Sequence, residues 1–276
     1  MGEQAPVKCV DAKQENCAIP MENKAKKQAG ILTFSYSSNP GSVLQAYALQ
    51  QTISEMDAME CSIINYQKTA ADKPIVGRNV FCGPVKTWTP GKIISWVKRL
   101  IVYPLRMEKY ECFFREYYHN FRELPYSREE LQETNRAYDV FVVGSDQVWN
   151  LDSISVDETY FLDFVTDAKK KVSYAASFGQ KGVPERGAES ASQLIKDFSA
   201  ISVREQQGVQ TVRELTGREA EWVLDPSLLR SKQEYASMAV LPKEKDFVFV
   251  YVREIARILM TLQSGWHFGK ACRLLR

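Results

Sequence analysis

The segment from Gly30 to Tyr66 limits the possible folds more than any other stretch. Ile31-Leu32-Thr33-Phe34 is a short apolar run, and turn-forming residues fill Ser35 to Ser42 (SYSSNPGS). Val43, Leu44, Tyr47, Ala48, Leu49, Ile53 and Met56 then recur at helical spacing, and a second apolar run follows at Ser62-Ile63-Ile64-Asn65-Tyr66. The pattern predicts strand, loop, helix and strand, with Ser42 as the helix N-cap. Two strands joined through a helix have far more chain between them than a hairpin uses. A parallel pair, by contrast, needs a crossover of that size. A parallel sheet places the chain in the α/β class, with helices packed on the sheet.

The rest of the chain extends this pattern. Residues 68–92 are rich in Pro and Gly and read as an irregular excursion, followed by a basic amphipathic helix at 93–101 and another helical stretch at 106–123. Tyr138 to Val143 reads as a strand that ends in Gly144-Ser145-Asp146-Gln147, and residues 160–165, 171–176 and 200–203 are further strand-like runs. Helical patterns fit 188–198 and 204–216, and Trp222-Val223-Leu224 runs into Asp225-Pro226. A last strand is expected at 246–252 (DFVFVYV), with its helix at 253–263. The expected organisation is a mobile N-terminal extension at 1–28, a Rossmann-like, doubly wound parallel domain at 29–238, and the opening of a second lobe at 239–276.

Charge and cysteine usage remove several function classes. Lys and Arg total 36 against 34 Asp and Glu, a net charge of +2 that offers no bulk attraction for nucleic acid. The six cysteines (9, 17, 61, 82, 112 and 272) form no CxxC, and His119 and His267 are the two histidines, so neither a zinc site nor any other metal site is expected. The polar N-terminus lacks the apolar core of a signal peptide, and no run of eighteen apolar residues occurs, which predicts a soluble, cytoplasmic protein with reduced cysteines.

In parallel α/β sheets, functional residues gather at the C-terminal ends of strands. That rule selects 35–42, 144–150, 177–180 and 203–205. Asn39-Pro40-Gly41-Ser42 opens a helix whose backbone N–H groups could face an anion, although the chain has neither GxGxxG nor a Walker lysine. Ser145 does not sit in a nucleophile elbow, because Gln147 stands where G-x-S-x-G requires its second glycine. Asp146 is better read as a group that orients a sugar hydroxyl or acts as general base. Arg204, at a strand end, can fork onto a carboxylate or phosphate, and a salt bridge to neighbouring Glu205 is the alternative. Asp225-Pro226 reads as a turn.

Taken together, GILTFSYSSNPGSVLQAYALQ (30–50), YDVFVVGSDQVWN (138–150), YFLDFV (160–165), KKVSYAASFG (170–179), ISVREQQG (201–208) and VLDPSLL (223–229) resemble the polysaccharide pyruvyl transferase family, with GSDQVWN the most specific piece. The resemblance implies two Rossmann-like halves in a GT-B-like arrangement. It also implies transfer of a pyruvyl group from phosphoenolpyruvate onto hydroxyls of a sugar or lipid-linked oligosaccharide, forming a ketal on a surface or cell-wall polymer. No cofactor is implied, and a lipid-linked acceptor would bring the enzyme to the inner face of the membrane. By the same resemblance, Arg204 and Asp146 are the catalytic pair, with Arg204 holding an anion. Asn39, Ser42, Gln45, Ser145 and Gln147 line the acceptor side.

The family's second half also carries an Arg-plus-His segment that residues 253–276 do not reproduce, and 255–276 contain no Asp or Glu. The chain is therefore expected to be an incomplete form holding the first half of such an enzyme. Two rival readings are a GT-B-like glycosyltransferase using a nucleotide-sugar, and a truncated, non-catalytic protein that binds carbohydrate or assembles with a partner.

Overall fold

The computed structural model describes residues 26–37, 39–66, 107–151, 157–179 and 183–240. Nearly all of the N-terminal extension, the stretch expected at 68–101 and the strand and helix expected at 246–263 lie outside these residues. The chain divides into two compact units, Met1–Arg230 and Ser231–Arg276. In the second unit the described helix is Lys232–Met238, opened by a capping box between Ser231 and Glu234.

The first unit contains strands β1 (Lys27–Leu32), β2 (Met59–Ile63), β3 (Val140–Val143), β4 (Lys171–Ser173), β5 (Ser202–Val203) and β6 (Glu221–Trp222). Its helices are α1 (Pro40–Ser54), α2 (107–117), α3 (Arg128–Glu133), α4 (Glu185–Lys196) and α5 (Gln206–Thr216). β1 and β2 are parallel, with Ile31 opposite Ile63, as the crossover length requires. The four-stranded sheet has the order β2-β1-β3-β4, every pair parallel, and β5 pairs parallel with β6. Parallel bridges at Val172–Ala200 and Ala176–Val203 carry the same direction from β4 to β5. Among the described residues no helix is long and apolar enough to cross a membrane.

Both faces of the sheet are buried, and successive strand residues serve opposite faces. Ala29 and Ile31 of β1, Cys61 of β2 and Val142 of β3 pack against Leu49 and Ile53 of α1. Leu32, Phe141 and Val143 face the other way, into a cluster with Trp149, Phe161, Ile195, Phe198 and Val212. A third cluster joins Val43 and Ala46 of α1 to Ile63, Phe114 and Tyr118. A continuous apolar run such as Val140–Val143 is therefore what a strand covered on both sides requires.

Three local expectations are corrected. β1 begins at Lys27, inside the stretch read as extension, and α1 is capped by Asn39, whose side chain accepts from the Gly41 N–H, with Pro40 at the first helical position. Proline is pre-set for that position, so the helix starts three residues before Val43 and Ser42 lies inside it. Residues 160–165 do not form a strand. A 3₁₀ turn spans Glu158–Phe161, Asp157 caps it, and Leu162 ends it in the left-handed region. Tyr160, Phe161, Leu162, Phe164 and Val165 are all buried, and an apolar run without a period cannot separate a strand from a buried turn.

Between β4 and β5, serine hydroxyls complete the ladder. Ser173 Oγ donates to the Ser202 carbonyl and accepts from the Ser202 N–H, while Ser202 Oγ donates to the Ser173 carbonyl and accepts from the Ala175 N–H. Both serines are buried. Removing either hydroxyl leaves a backbone N–H unpaired in the interior, at a cost of about 1–3 kcal/mol. Ser173→Ala and Ser202→Ala are each expected to lower the urea midpoint by the corresponding amount without changing the slope of the transition, as followed by circular dichroism.

Candidate active site

β1 lies between β2 and β3, and the chain leaves β1 toward one neighbour and returns through the other. Loops following such adjacent strands diverge to opposite sides, opening a crevice at the carboxyl end of the sheet. A cavity of about 310 Å³ lies there, lined by Asn39, Gly41, Ser42, Leu44, Gln45, Asp146, Arg204, Asp225 and Ser227. This volume falls at the small end of ligand sites, roughly 300–1,000 Å³.

Gln45, on the first turns of α1, fixes the geometry of the crevice. Its amide nitrogen donates to Thr33 Oγ1 and the Ser42 carbonyl, and its oxygen accepts from the Ser145 N–H at 3.1 Å. Thr33 Oγ1 in turn donates to the Ser145 carbonyl at 2.9 Å. The loops after β1 and β3 and the start of α1 are thereby joined by buried bonds. Both amide donors of Gln45 are spent, so it positions the wall and has no N–H left for a ligand. At the helix N-terminus the Gly41 N–H binds the Asn39 side chain, the Val43 N–H binds the Asn39 carbonyl, and Pro40 has no N–H.

Asp146 stands on the loop after β3. Gly144 precedes it at φ +108°, and a Cβ there would lie 2.3 Å from the Tyr174 carbonyl oxygen, so only glycine fits. Asp146 itself has φ +70°, a region that Asp tolerates better than most residues. One carboxylate oxygen accepts from Ser42 Oγ at 2.5 Å and the other from the Gln147 N–H at 2.8 Å. A carboxylate offers about four acceptor positions, so roughly two remain for a ligand. The far end of the loop is anchored by Trp149, fully buried, with Phe161, Phe178 and Phe198 around it and its Nε1–H on the Tyr160 carbonyl.

Arg204, after β5, donates through Nε to Glu205 at 3.0 Å and through one terminal nitrogen to Asp225 at 3.1 Å. Burial opposes its charge, but the hydrogen bonds to Glu205 and Asp225 outweigh that and hold it more firmly protonated than usual. Three of the five guanidinium N–H groups are not used in these bonds. Asp225, after β6, is likewise penalised by burial, yet the bonds from Ser227 and Arg204 hold it below the ordinary carboxylate value. The lining residues thus carry one cation, Arg204, against the two carboxylates Asp146 and Asp225. Such a wall favours hydroxyl donors over an anion. Among the described residues no group of three or more His, Cys, Asp or Glu gathers to hold a metal ion.

The structure brings Asn39, Ser42, Gln45, Asp146 and Arg204 to one cavity. Ser145 lies beneath it, fully buried, with its hydroxyl on the Ala175 carbonyl and Asp225. The Gln147 side chain turns to Asn150 and does not line the cavity. The Glu205 salt bridge considered for Arg204 is present, together with a second to Asp225. Sequence reasoning missed Asp225 and Ser227. The strand-end rule would have selected both had Glu221–Trp222 been recognised as a strand.

A family model described as polysaccharide pyruvyl transferase matches residues 39–264 of the chain. No curated protein and no solved structure matches it.

The lowered pKa of Asp225 sets a pH dependence. A carboxylate held below its unfolded value contributes stability that is present above that value and lost as pH falls through the folded one. The stability difference between wild type and Asp225→Asn is expected to be constant from neutral pH down to about 5 and to shrink as pH passes below the ordinary value of 3.8, measured by urea unfolding across pH.

Proposed function

The chain belongs to the polysaccharide pyruvyl transferase family, and we propose that it serves the transfer of a pyruvyl group from phosphoenolpyruvate to two hydroxyls of one sugar in a polysaccharide or its lipid-linked precursor. In that reaction the methylene carbon of phosphoenolpyruvate takes up a proton, two hydroxyl oxygens bond to C2, and phosphate leaves carrying the second hydroxyl proton. The product is a cyclic ketal. The described unit supplies the acceptor wall in this reading. Its supporting observation is Asp146, a carboxylate with open acceptor positions, held over the cavity at the divergence of β1 and β3.

Asp146 accepts a hydroxyl proton and so raises the nucleophilicity of that oxygen, the work of a general base. Ser42, bonded to the same carboxylate, keeps it pointed into the cavity. The unused N–H groups of Arg204 are suited to negative charge that develops on the departing phosphate or on the pyruvyl carboxylate. A single arginine beside two carboxylates does not neutralise phosphoenolpyruvate by itself, so this wall is assigned to the sugar.

The test uses the purified chain with an oligosaccharide acceptor carrying a free diol. Saturation-transfer NMR is expected to show contact with the sugar, and Asp146→Asn to weaken it by about tenfold, the worth of a hydrogen bond to a charged group. Phosphate release from phosphoenolpyruvate is expected only when the acceptor is present, with kcat about 100-fold or more lower in Asp146→Asn. Release of nucleotide from a nucleotide-sugar in place of phosphate from phosphoenolpyruvate would overturn the reading in favour of a glycosyltransferase.

A further inference from the structure

We infer that Asp225 is the positioning residue of this site: it holds the Arg204 guanidinium over the cavity and ties it to the loop that carries Asp146. The inference rests on the pyruvyl-transfer reading for what Arg204 does, and on geometry alone for how Arg204 is held.

Asp225 joins three strand ends. It follows β6, and its Oδ2 accepts from Arg204 after β5 at 3.1 Å and lies 3.2 Å from Ser145 Oγ after β3. The Ser145 hydroxyl also lies 3.0 Å from the Ala175 carbonyl, so its single proton is shared between the two acceptors. The other carboxylate oxygen, Oδ1, accepts from the Ser227 N–H at 3.0 Å and from Ser227 Oγ at 2.7 Å. With these contacts the acceptor capacity of Asp225 is filled, whereas Asp146 retains open positions. Two carboxylates lining one cavity therefore have different work: Asp146 can receive a ligand hydroxyl, and Asp225 can only hold protein groups.

What Asp225 holds is a side chain with strong reason to move. An arginine side chain loses rotamer freedom when fixed, and a half-buried guanidinium would otherwise swing toward water. Glu205 restrains it through Nε, but Glu205 is the adjacent residue and is itself half exposed. Asp225 grips a terminal nitrogen from a different strand and leaves the remaining terminal N–H groups for the cavity. The backbone of Arg204 is pinned as well: its N–H bonds the Ala176 carbonyl at 3.2 Å and its carbonyl accepts from Trp222 Nε1 at 3.0 Å. The backbone is thus set by the β-ladder, and the direction of the side chain by Asp225.

The test is a pair of double-mutant cycles on the full chain with Arg204→Ala, Asp225→Asn and the double variant. In urea unfolding, Asp225→Asn is expected to lower the midpoint clearly in the wild-type background and much less where Arg204 is already alanine. In kcat/KM for acceptor-dependent phosphate release, Asp225→Asn is expected to cost about tenfold alone and little on top of Arg204→Ala, the non-additivity of groups acting as a unit. A residue that merely supported the fold would lower both parameters equally in either background, and that additive outcome overturns the inference. An unchanged urea midpoint and unchanged kcat/KM in Asp225→Asn overturn it too. If wild type releases no phosphate, the pyruvyl-transfer reading fails, while the urea cycle still decides whether Asp225 holds Arg204.

Discussion

The site depends on the buried amide of Gln45. Strands β1 and β3 are neighbours in a parallel sheet, and the loops after them must part, so their backbone pairing ends with the bond from the Gly144 N–H to the Leu32 carbonyl at 3.1 Å. The bonds of Gln45 to Thr33, Ser42 and Ser145 take over where the sheet stops. Without them the crevice would expose backbone groups with no partner, and the interior does not tolerate that. The position of Asp146 follows, because the Ser145 peptide held by Gln45 immediately precedes it. So does the position of Ser42, whose carbonyl is held by the same amide and whose hydroxyl meets the Asp146 carboxylate.

The charges around the crevice separate its two halves. On the β3 side Asp146 keeps free acceptor capacity. On the β5–β6 side Arg204 is bonded to both Glu205 and Asp225, with Ser177 adding a bond to Glu205 at 2.7 Å. A partly buried arginine between two carboxylates gains little net stability from the pairing after desolvation, but its direction is strongly specified. That arrangement suits a wall meant to recognise hydroxyls beside one well-aimed cation. The family implies a polysaccharide acceptor.

Much of this was legible in the sequence because it rests on period and spacing. The β1–α1–β2 crossover announced a parallel sheet, and the strand-end rule led to Asn39, Ser42, Asp146 and Arg204. The misses each have a physical origin. Ser42 and Asn39 are both good caps, and proline at the first helical position decides between them in favour of Asn39. Tyr160, Phe161, Leu162, Phe164 and Val165 are all buried, which erases the period that would separate a strand from a 3₁₀ turn. β6 is two residues long and exposed, with Trp222 64% accessible, so it carries no alternation and Asp225 looked like a turn residue. The bonds that occupy Gln45 and Ser145 within the protein were not legible for another reason: which polar atoms are already spent depends on contacts about a hundred residues apart.

The loop from Gly144 to Trp149 is fastened at both ends, by the Tyr174 carbonyl that excludes any residue larger than glycine and by an indole locked among three phenylalanines. A carboxylate on so short a span has almost no conformational freedom left to surrender when a ligand arrives. Affinity for a small, flexible, heavily hydrated molecule is eroded chiefly by ordering costs and by imperfectly replaced water. Here the protein's share of the ordering is met during folding, by aromatic packing that never touches the ligand. The GSDQVWN segment accordingly records two demands in seven residues, and the tryptophan that makes it recognisable keeps the aspartate still.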